Sequence, residues 1–565
     1  MNNLVTELLN ITEFPNGADS EWEFMNPRDG WIFISSTAVI DDSEQVNIIL
    51  DSDPPDEVII HRASEPDILE AMRYLPAGEH KLRICGKPGL TSLVVRAVSE
   101  LIFCKFQYDP HILEYGPYDW SFLEKYVLPN VNTIVGSGDE KHRPYLEFWK
   151  KQGKRWIEEV YATPYFQNWN ANDAYQYWLK SKGFSDPLMD GIVVDEFFGG
   201  DDERYLPLTE SVLRICQNEQ MKGKVFYPYC SSMYGSKLSE EFIRSVIKSG
   251  YRVVWERYLR EQPDEEKANE LLKSKLSQEM RGWEESFPGC AEHMIVCLGY
   301  MTITESLNVD PRVDYKVWMD MQFHHLANDP EFANLYGLME YTCGYADEET
   351  VRWAAQLYRH YALEGHRELL SKQYGFKYQL DHIQNPDFEE GLSGWVANPA
   401  EESSIDVKNM EGYSWLQGRY PRTSMGDTFL WTKRSDQKPN EFSQEIRNLC
   451  PGSMYSLKMI TADYRDLTAG RSVKQKHGIS IRIDGAELNH DRSFQSVVSN
   501  NYAHQLGIFT DTHKAWLNYH WKMFRANGTV AKLTISDWVR DKEPGGPIGQ
   551  ELIYNFIEVQ PYWEG

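Results

Sequence analysis

The segment DGIVVDEFFGGDDERY, residues 190–205, sets a β-branched apolar run, Ile192-Val193-Val194, directly against two carboxylates, Asp195 and Glu196. Neighbouring like charges at the end of a buried segment are costly, because each disfavours the ionised form of the other. General acid–base chemistry uses that cost: one carboxyl keeps its proton near neutral pH while a second stays ionised. Other acids sit at the ends of comparable runs: Glu158 and Glu159 in RWIEEVYA, Glu256 in YRVVWERY and Glu340 in LYGLMEYT. Lys105, Gln107 and Asp109 lie in or just after LIFCKFQ, and aromatic residues interleave with the acids: Tyr227, Tyr229, Trp255, Tyr258, Tyr300 and Tyr341. Flat aromatic faces stack on the apolar side of a pyranose, and carboxylates accept hydrogen bonds from its hydroxyls. Side chains alternate along a strand, so Glu196 shares parity with Ile192 and Val194, and Asp195 with Val193 and Phe197. Parity alone does not choose which of the two faces inward.

Three stretches of different rhythm must position these residues. Up to residue 100, the short runs GWIFISS, QVNIILD, EVIIH, HKLRICG and TSLVVRA are separated by Asp, Pro and Gly, which predicts a small antiparallel β-sandwich. Within it, YLPAGEHKLRI resembles a hairpin of accessory β-sandwiches in carbohydrate-active proteins. Over residues 101–380, eight apolar runs alternate with amphipathic patterns such as DWSFLEKYVL, PYLEFWKKQG, LTESVLRICQNEQ and EEFIRSVIKSG. The runs are LIFCKFQ, VNTIVG, RWIEEVYA, GIVVDEFF, KVFYPYC, YRVVWERY, HMIVCLGYM and LYGLMEYT. Eight strand–helix pairs predict a (β/α)8 TIM barrel, whose chemistry sits at the carboxy-terminal ends of its strands. An open doubly wound sheet would show a Gly-rich phosphate turn after the first strand, and FQYDPHILEYG is not one. Residues 381–565 read as a second β-sandwich. Its opening, NPDFEEGLSGW, resembles the first strand of carbohydrate-binding modules of the galactose-binding-like jelly-roll class, through Asn385, Phe388, Glu389, Gly391 and Trp395. The expected fold class is therefore multidomain, α/β plus all-β, with the barrel flanked by two β-sandwiches.

Composition narrows the partners. The 565 residues carry a formal net charge of −27, and Lys and Arg form no cluster, which argues against nucleic acid and anionic membrane surfaces. No run approaches the ~20 apolar residues of a membrane span. The opening MNNLVTELLNITEF lacks a basic n-region and a long apolar core, leaving either an intracellular chain or a secreted or periplasmic one whose leader has been removed. The eight cysteines make no CxxC pair; Cys104, Cys230, Cys297 and Cys343 lie in strand-like runs and read as buried free thiols. His324 and His325 are adjacent in a helical pattern and face different directions, so they are not expected to share a metal. No cofactor and no metal site is expected, and the partner is a carbohydrate.

A barrel with an acid at strand four, further acids on later strands and flanking β-sandwiches resembles the glycoside hydrolases, most closely in architecture the large clan of retaining barrel enzymes. That clan carries an Asn-Glu pair at strand four and a nucleophilic Glu at strand seven. Here Asp195 stands in place of the Asn, and HMIVCLGYM has no acid before Glu305 in the following loop. The resemblance implies that Glu196 is the general acid/base; the nucleophile does not carry over. Glu256 is the expected nucleophile or base and Glu340 the next candidate, while Asp195 and Glu340 would orient sugar hydroxyls or tune the pair. Trp255, Tyr229, Tyr300, Tyr341, Lys105, Asp109 and Glu158 are the expected substrate contacts. Glu158, Glu159 and the acids at 201–203 also read as ion-pair or solvated loop residues. Two other readings remain: a glycan-binding protein whose barrel has lost its chemistry, and an enolase-like Mg²⁺ barrel enzyme, which would need acids on strands three, four and five. Strand five ends FYPYC, without one. A polysaccharide lyase would need a Tyr, Lys or His base.

Overall fold

The computed structural model describes the chain apart from residues 15–19, 39–45, 52–57, 62–66, 87–89, 421–422 and 501–514. At its centre eight parallel strands close into a barrel: Glu100–Cys104, Thr133–Val135, Arg155–Tyr161, Gly191–Phe197, Val225–Cys230, Val253–Arg257, Met294–Gly299 and Gly337–Tyr341. The eighth pairs with the first, Gly337 opposite Glu100 and Glu340 opposite Phe103. Each strand lies within, or begins one residue ahead of, an apolar run identified above. Helices cover the outside, and Asp119, Asn170, Asp264, Asp314 and Asp347 cap five of them by accepting a first-turn backbone N–H. Outward-facing strand residues and helix aromatics such as Trp149, Trp178, Phe242, Trp283, Trp318 and Trp353 fill the layer between.

Inside the barrel, alternate residues stack in layers. The lowest is polar and closed. Glu100 accepts from Arg155 at 3.2 Å on both oxygens, from Tyr227 at 2.7 Å and from Thr133 at 2.6 Å. Tyr227, expected near the mouth, belongs to this layer at the opposite end. Ile102, Val135, Ile157, Val193, Val254, Ile295 and Met339 form an apolar plug above it. The next inward residues up are those that face the mouth.

Before the barrel lie two four-stranded antiparallel sheets. One is built from Val5–Ile11, Leu90–Val98, Gly30–Ala38 and Asp67–Leu75, the other from Ser20–Asn26, Gly78–Gly86, Val46–Leu50 and Val58–His61. The strands Val5–Ile11, Ser20–Asn26 and Asp67–Leu75 carry charged or polar alternate residues and escaped the sequence reading. In Gly30–Ala38, Ile32 and Ile34 point into the core between the sheets while Trp31 and Phe33 pack on the barrel side. Both faces of this strand are buried, so its sequence is a continuous apolar run rather than an alternation. The Pro76–Ala77 turn in YLPAGEHKLRI crosses from one sheet to the other, and His80 donates to the Pro76 carbonyl at 2.9 Å.

After the barrel, a four-stranded and a six-stranded antiparallel sheet share one core containing Phe388, Trp395, Phe442, Leu457, Leu533 and Tyr554. The NPDFEEGLSGW segment is a turn rather than a strand, and strand begins only at Val396. Asn385, at φ 47°, staples the turn by donating to the carbonyls of Gly391 at 2.9 Å and Ser393 at 3.1 Å. Phe388 and Trp395 are buried 5.2 Å apart in the core. Trp415, Trp431, Trp521, Trp538 and Trp563 are likewise buried.

Candidate active site

Three barrel strands deliver inward carboxylates at the carboxy-terminal rim by continuing the alternation of the plug: Glu159 two residues beyond Ile157, Asp195 beyond Val193 and Glu256 beyond Val254. The fourth strand then breaks its register. Val194 pairs with Pro228 but Phe197 pairs with Cys230, so two residues, Asp195 and Glu196, stand opposite one. Glu196 takes the left-handed backbone of this bulge at φ 72°, and its side chain is exposed. The bulge answers the parity question of the sequence: Phe197 returns to the outer layer, and both carboxylates stay with the mouth.

The electrostatics follow from this crowding. Burial, then the charges of Glu159, Glu196 and Glu256, push the Asp195 carboxyl up to about 7. Burial likewise pushes Glu256 up to about 7, with Glu196 adding to the rise and the Arg257 guanidinium opposing it. Arg257 itself pairs with Glu279 at 3.0 Å rather than with Glu256. Lys105 pairs with Glu159; burial acts to lower the ammonium, and the Glu159 carboxylate overrides it and raises it. Among the described residues, the mouth acids do not bring three ligand atoms within 4.8 Å of one another.

Tyrosines wall the mouth. The Tyr229 and Tyr258 hydroxyls hydrogen-bond each other, and Tyr258 and Tyr341 stack at 5.8 Å and 22°. Tyr341 lies 6.0 Å from Tyr229, ring to ring, and its hydroxyl feels the charges of Glu159 and Asp195. Another tyrosine comes from outside the barrel. Tyr420 donates its backbone N–H to the Ser306 carbonyl at 2.8 Å, and Gly418 accepts from Ser306 at 2.7 Å. This pairing attaches the C-terminal region to the hairpin that follows the seventh strand. Burial raises the half-buried Tyr420 phenol, and the charges of Glu256 and Glu305 raise it further. Glu305 stands in that hairpin, so the acid that the seventh strand lacks is present at its margin.

Four expected site residues are placed in the helical layer instead. Glu340 shares the outward parity of its neighbours Phe103 and Leu298, and is buried between sheet and helices near Tyr300, Tyr315 and Tyr358. Burial alone raises its carboxyl well above the ordinary range. Trp255 faces out against Trp283, 6.1 Å ring to ring. Tyr300 is buried and donates to the Cys104 carbonyl at 3.0 Å. Glu158 faces the helices and accepts the Gly183 N–H at 2.9 Å. Asp109, by contrast, is exposed in the loop after the first strand, where it accepts the Tyr118 N–H at 3.2 Å. Sequence reasoning undervalued Glu159 and missed Tyr420. For Glu159 the signal was its shared parity with Ile157. For Tyr420 no local signal exists, because only the docking of the C-terminal region brings it here.

No protein-family model and no curated protein matches the chain. Solved structures that resemble it include carbohydrate-active enzymes and carbohydrate-binding modules. One is a GH2 β-galacturonidase from Eisenbergiella tayi, at 10% identity over 64% of this chain and 97% of that one, with a TM-score of 0.29. A cycloisomaltooligosaccharide glucanotransferase from Paenibacillus sp. aligns at 8% identity over 98% and 71%, TM-score 0.28. The module TmCBM61, solved with β-1,4-galactotriose, aligns at 15% identity over 32% and 97%, TM-score 0.18.

Proposed function

We propose that the chain is a glycosidase that cleaves O-glycosidic bonds at the mouth of its barrel, with Asp195 and Glu256 as the working pair. One observation carries the reading: two inward carboxyls on different strands are both held near neutrality by burial and by neighbouring acids. When two coupled groups titrate near 7, the singly protonated pair dominates there, which supplies one acid and one carboxylate together. Glu256 is the acid, its longer side chain reaching toward the glycosidic oxygen on the side where Tyr420 stands. Asp195, shorter and rooted above the apolar plug, is the nucleophile or base beneath the sugar. The pair differs from the sequence expectation, in which Glu196 is the acid/base and Glu256 the nucleophile or base: Asp195, which carries the inward parity, replaces Glu196, and Glu256 takes the part of the acid. Glu196 and the Lys105–Glu159 pair hold sugar hydroxyls, and Tyr258, Tyr341 and Tyr420 supply stacking faces, with the buried Tyr229 holding Tyr258 from beneath. The three sections of the chain, residues 1–100, 101–380 and 381–565, act as supporting sandwich, catalytic barrel and a jelly-roll region that completes the mouth.

The test is a glycan screen with product analysis, followed by two variants. Glu256→Gln is expected to lose at least 10³-fold on natural substrates and to recover much of it on aryl glycosides whose leaving group needs no proton. Asp195→Asn is expected to lose activity on both. Turnover intact in both variants, on a substrate the wild type cleaves, would overturn the reading; glycan binding without turnover in any screen would point to a barrel that only binds.

A further inference from the structure

A second cluster lies at the other end of the barrel and is independent of the proposed chemistry. The helix Glu348–Leu357 follows the eighth strand and continues into a π-helical turn, Tyr358–Leu363, where the Glu364 N–H donates to the Arg359 carbonyl five residues back at 2.9 Å. There His360, Glu364 and His366 each bring one ligand atom within 4.8 Å of the other two. His360 is buried, and its Nε2 lies 2.7 Å from the Glu368 carbonyl. A carbonyl only accepts, so Nε2 carries the proton and Nδ1 keeps its lone pair. This is the outer-shell arrangement that orients metal-binding histidines. The His366 ring stacks on His360 at 4.6 Å and 26°, and its Nε2 lies 3.3 Å from Glu364 Oε2.

We propose that His360, Glu364 and His366 bind one divalent transition-metal ion of the zinc type, pinning the last barrel helix to the first residues of the chain. Two imidazoles and one carboxylate suit zinc and disfavour the all-oxygen preference of Ca²⁺ or Mg²⁺. Bonds of about 2.0–2.1 Å to a tetrahedral ion require the ligand atoms to draw together slightly. The Glu364 and His366 side chains, 33% and 54% exposed, have room to do so. The nearby Arg359 is already engaged by Glu70 at 2.6 and 3.0 Å and stands 3.5 Å from Glu364. A structural role follows from the surroundings. Asn2 donates to the carbonyls of Tyr361 at 2.9 Å and His366 at 2.7 Å, and Arg96 of the N-terminal sandwich donates to Leu363 at 2.9 Å.

The test is calorimetric titration of zinc chloride into the full-length protein after chelator treatment, with cobalt(II) absorption reporting coordination geometry. One ion per chain is expected, with cobalt bands of tetrahedral intensity. His366→Ala and Glu364→Gln are each expected to weaken binding at least tenfold, while the exposed His490→Ala serves as a control that leaves it unchanged. Zinc is expected to raise the unfolding temperature of the wild type and not that of His366→Ala. Binding only at millimolar zinc, or binding that survives His366→Ala and Glu364→Gln combined, would overturn the site.

Discussion

Asp195 and Glu256 place opposite demands on stability and activity. Each is raised from an ordinary carboxyl value of 3.8 or 4.5 to about 7, so between those limits the folded chain holds protons that the unfolded chain has released. Their contribution to stability is therefore full below about pH 4 and is lost as pH rises through 7. Asp195→Asn removes this loss. It is expected to stabilise the protein by about 1–3 kcal/mol at pH 8 and by almost nothing at pH 4, read from denaturant unfolding at both values. Equal effects at the two values would show that Asp195 ionises as an exposed carboxyl does. Activity is expected to follow a bell centred near neutrality, and Glu256→Gln is expected to remove its alkaline limb. Glu340 gives the contrasting case. Its carboxyl is held neutral outside the mouth, so Glu340→Gln is expected to leave kcat/KM within about twofold and stability within about 1 kcal/mol. A large kinetic loss with the fold intact would return Glu340 to the mechanism.

At the level of elements, the bulge in the fourth strand is what gathers two adjacent carboxylates at one rim. Glu196 accepts a left-handed backbone that a side chain adopts at a cost of about 1–2 kcal/mol and glycine adopts freely. Glu196→Gly and Glu196→Ala remove the same carboxylate. The glycine variant is expected to be about 1 kcal/mol the more stable of the two, by thermal or denaturant unfolding. An alanine variant of equal or greater stability would mean that the bulge is not held in that conformation. Both are expected to bind substrate more weakly to the same degree, because neither can accept a hydrogen bond from the sugar at this position.

Across the whole molecule, the C-terminal region is fused to the barrel by buried polar contacts. Glu261 of the barrel accepts from Asn308 at 3.2 Å and from the Asp310 N–H at 2.6 Å, and Asn308 also donates to Glu558 at 3.0 Å. Lys458 reaches Asn308 at 2.5 Å, and the buried Arg419, paired within its own region with Asp387, donates to the Val309 carbonyl of the barrel at 2.9 Å. Removing one side of such a network leaves buried polar groups unpaired, at a cost of several kcal/mol. A chain ending at residue 380 is expected to be insoluble or to unfold without cooperativity. A soluble and active 1–380 fragment, assayed for expression and turnover, would show that the region is a dispensable module.

The barrel was legible in the sequence because its strands are buried on both faces. Burial on both faces writes each strand as an unbroken apolar run between helical patterns, a signal that needs no partner to be read. The three strands of the N-terminal sandwich that escaped notice interleave charged residues with apolar ones, exposed in Ser20–Asn26 and turned to the barrel helices in Asp67–Leu75, where Glu70 pairs with Arg359, and this dilutes the same signal. The candidate site was legible only in part. Asp195, Glu256, Tyr229 and Tyr341 end strands or follow the inward alternation. Trp255 and Glu340 sit beside Glu256 and Tyr341 in sequence yet face the helices, because neighbouring strand positions point to opposite sides. Residue type and spacing determine which chemistry a rim can host. Only the closed sheet, the bulge in its fourth strand and the docked C-terminal region decide which side chains meet, since contact between distant residues is a property of packing and leaves no local trace. Tyr420 is the clearest instance: its phenol feels the charge of Glu256 across 163 residues of intervening chain that do not announce it.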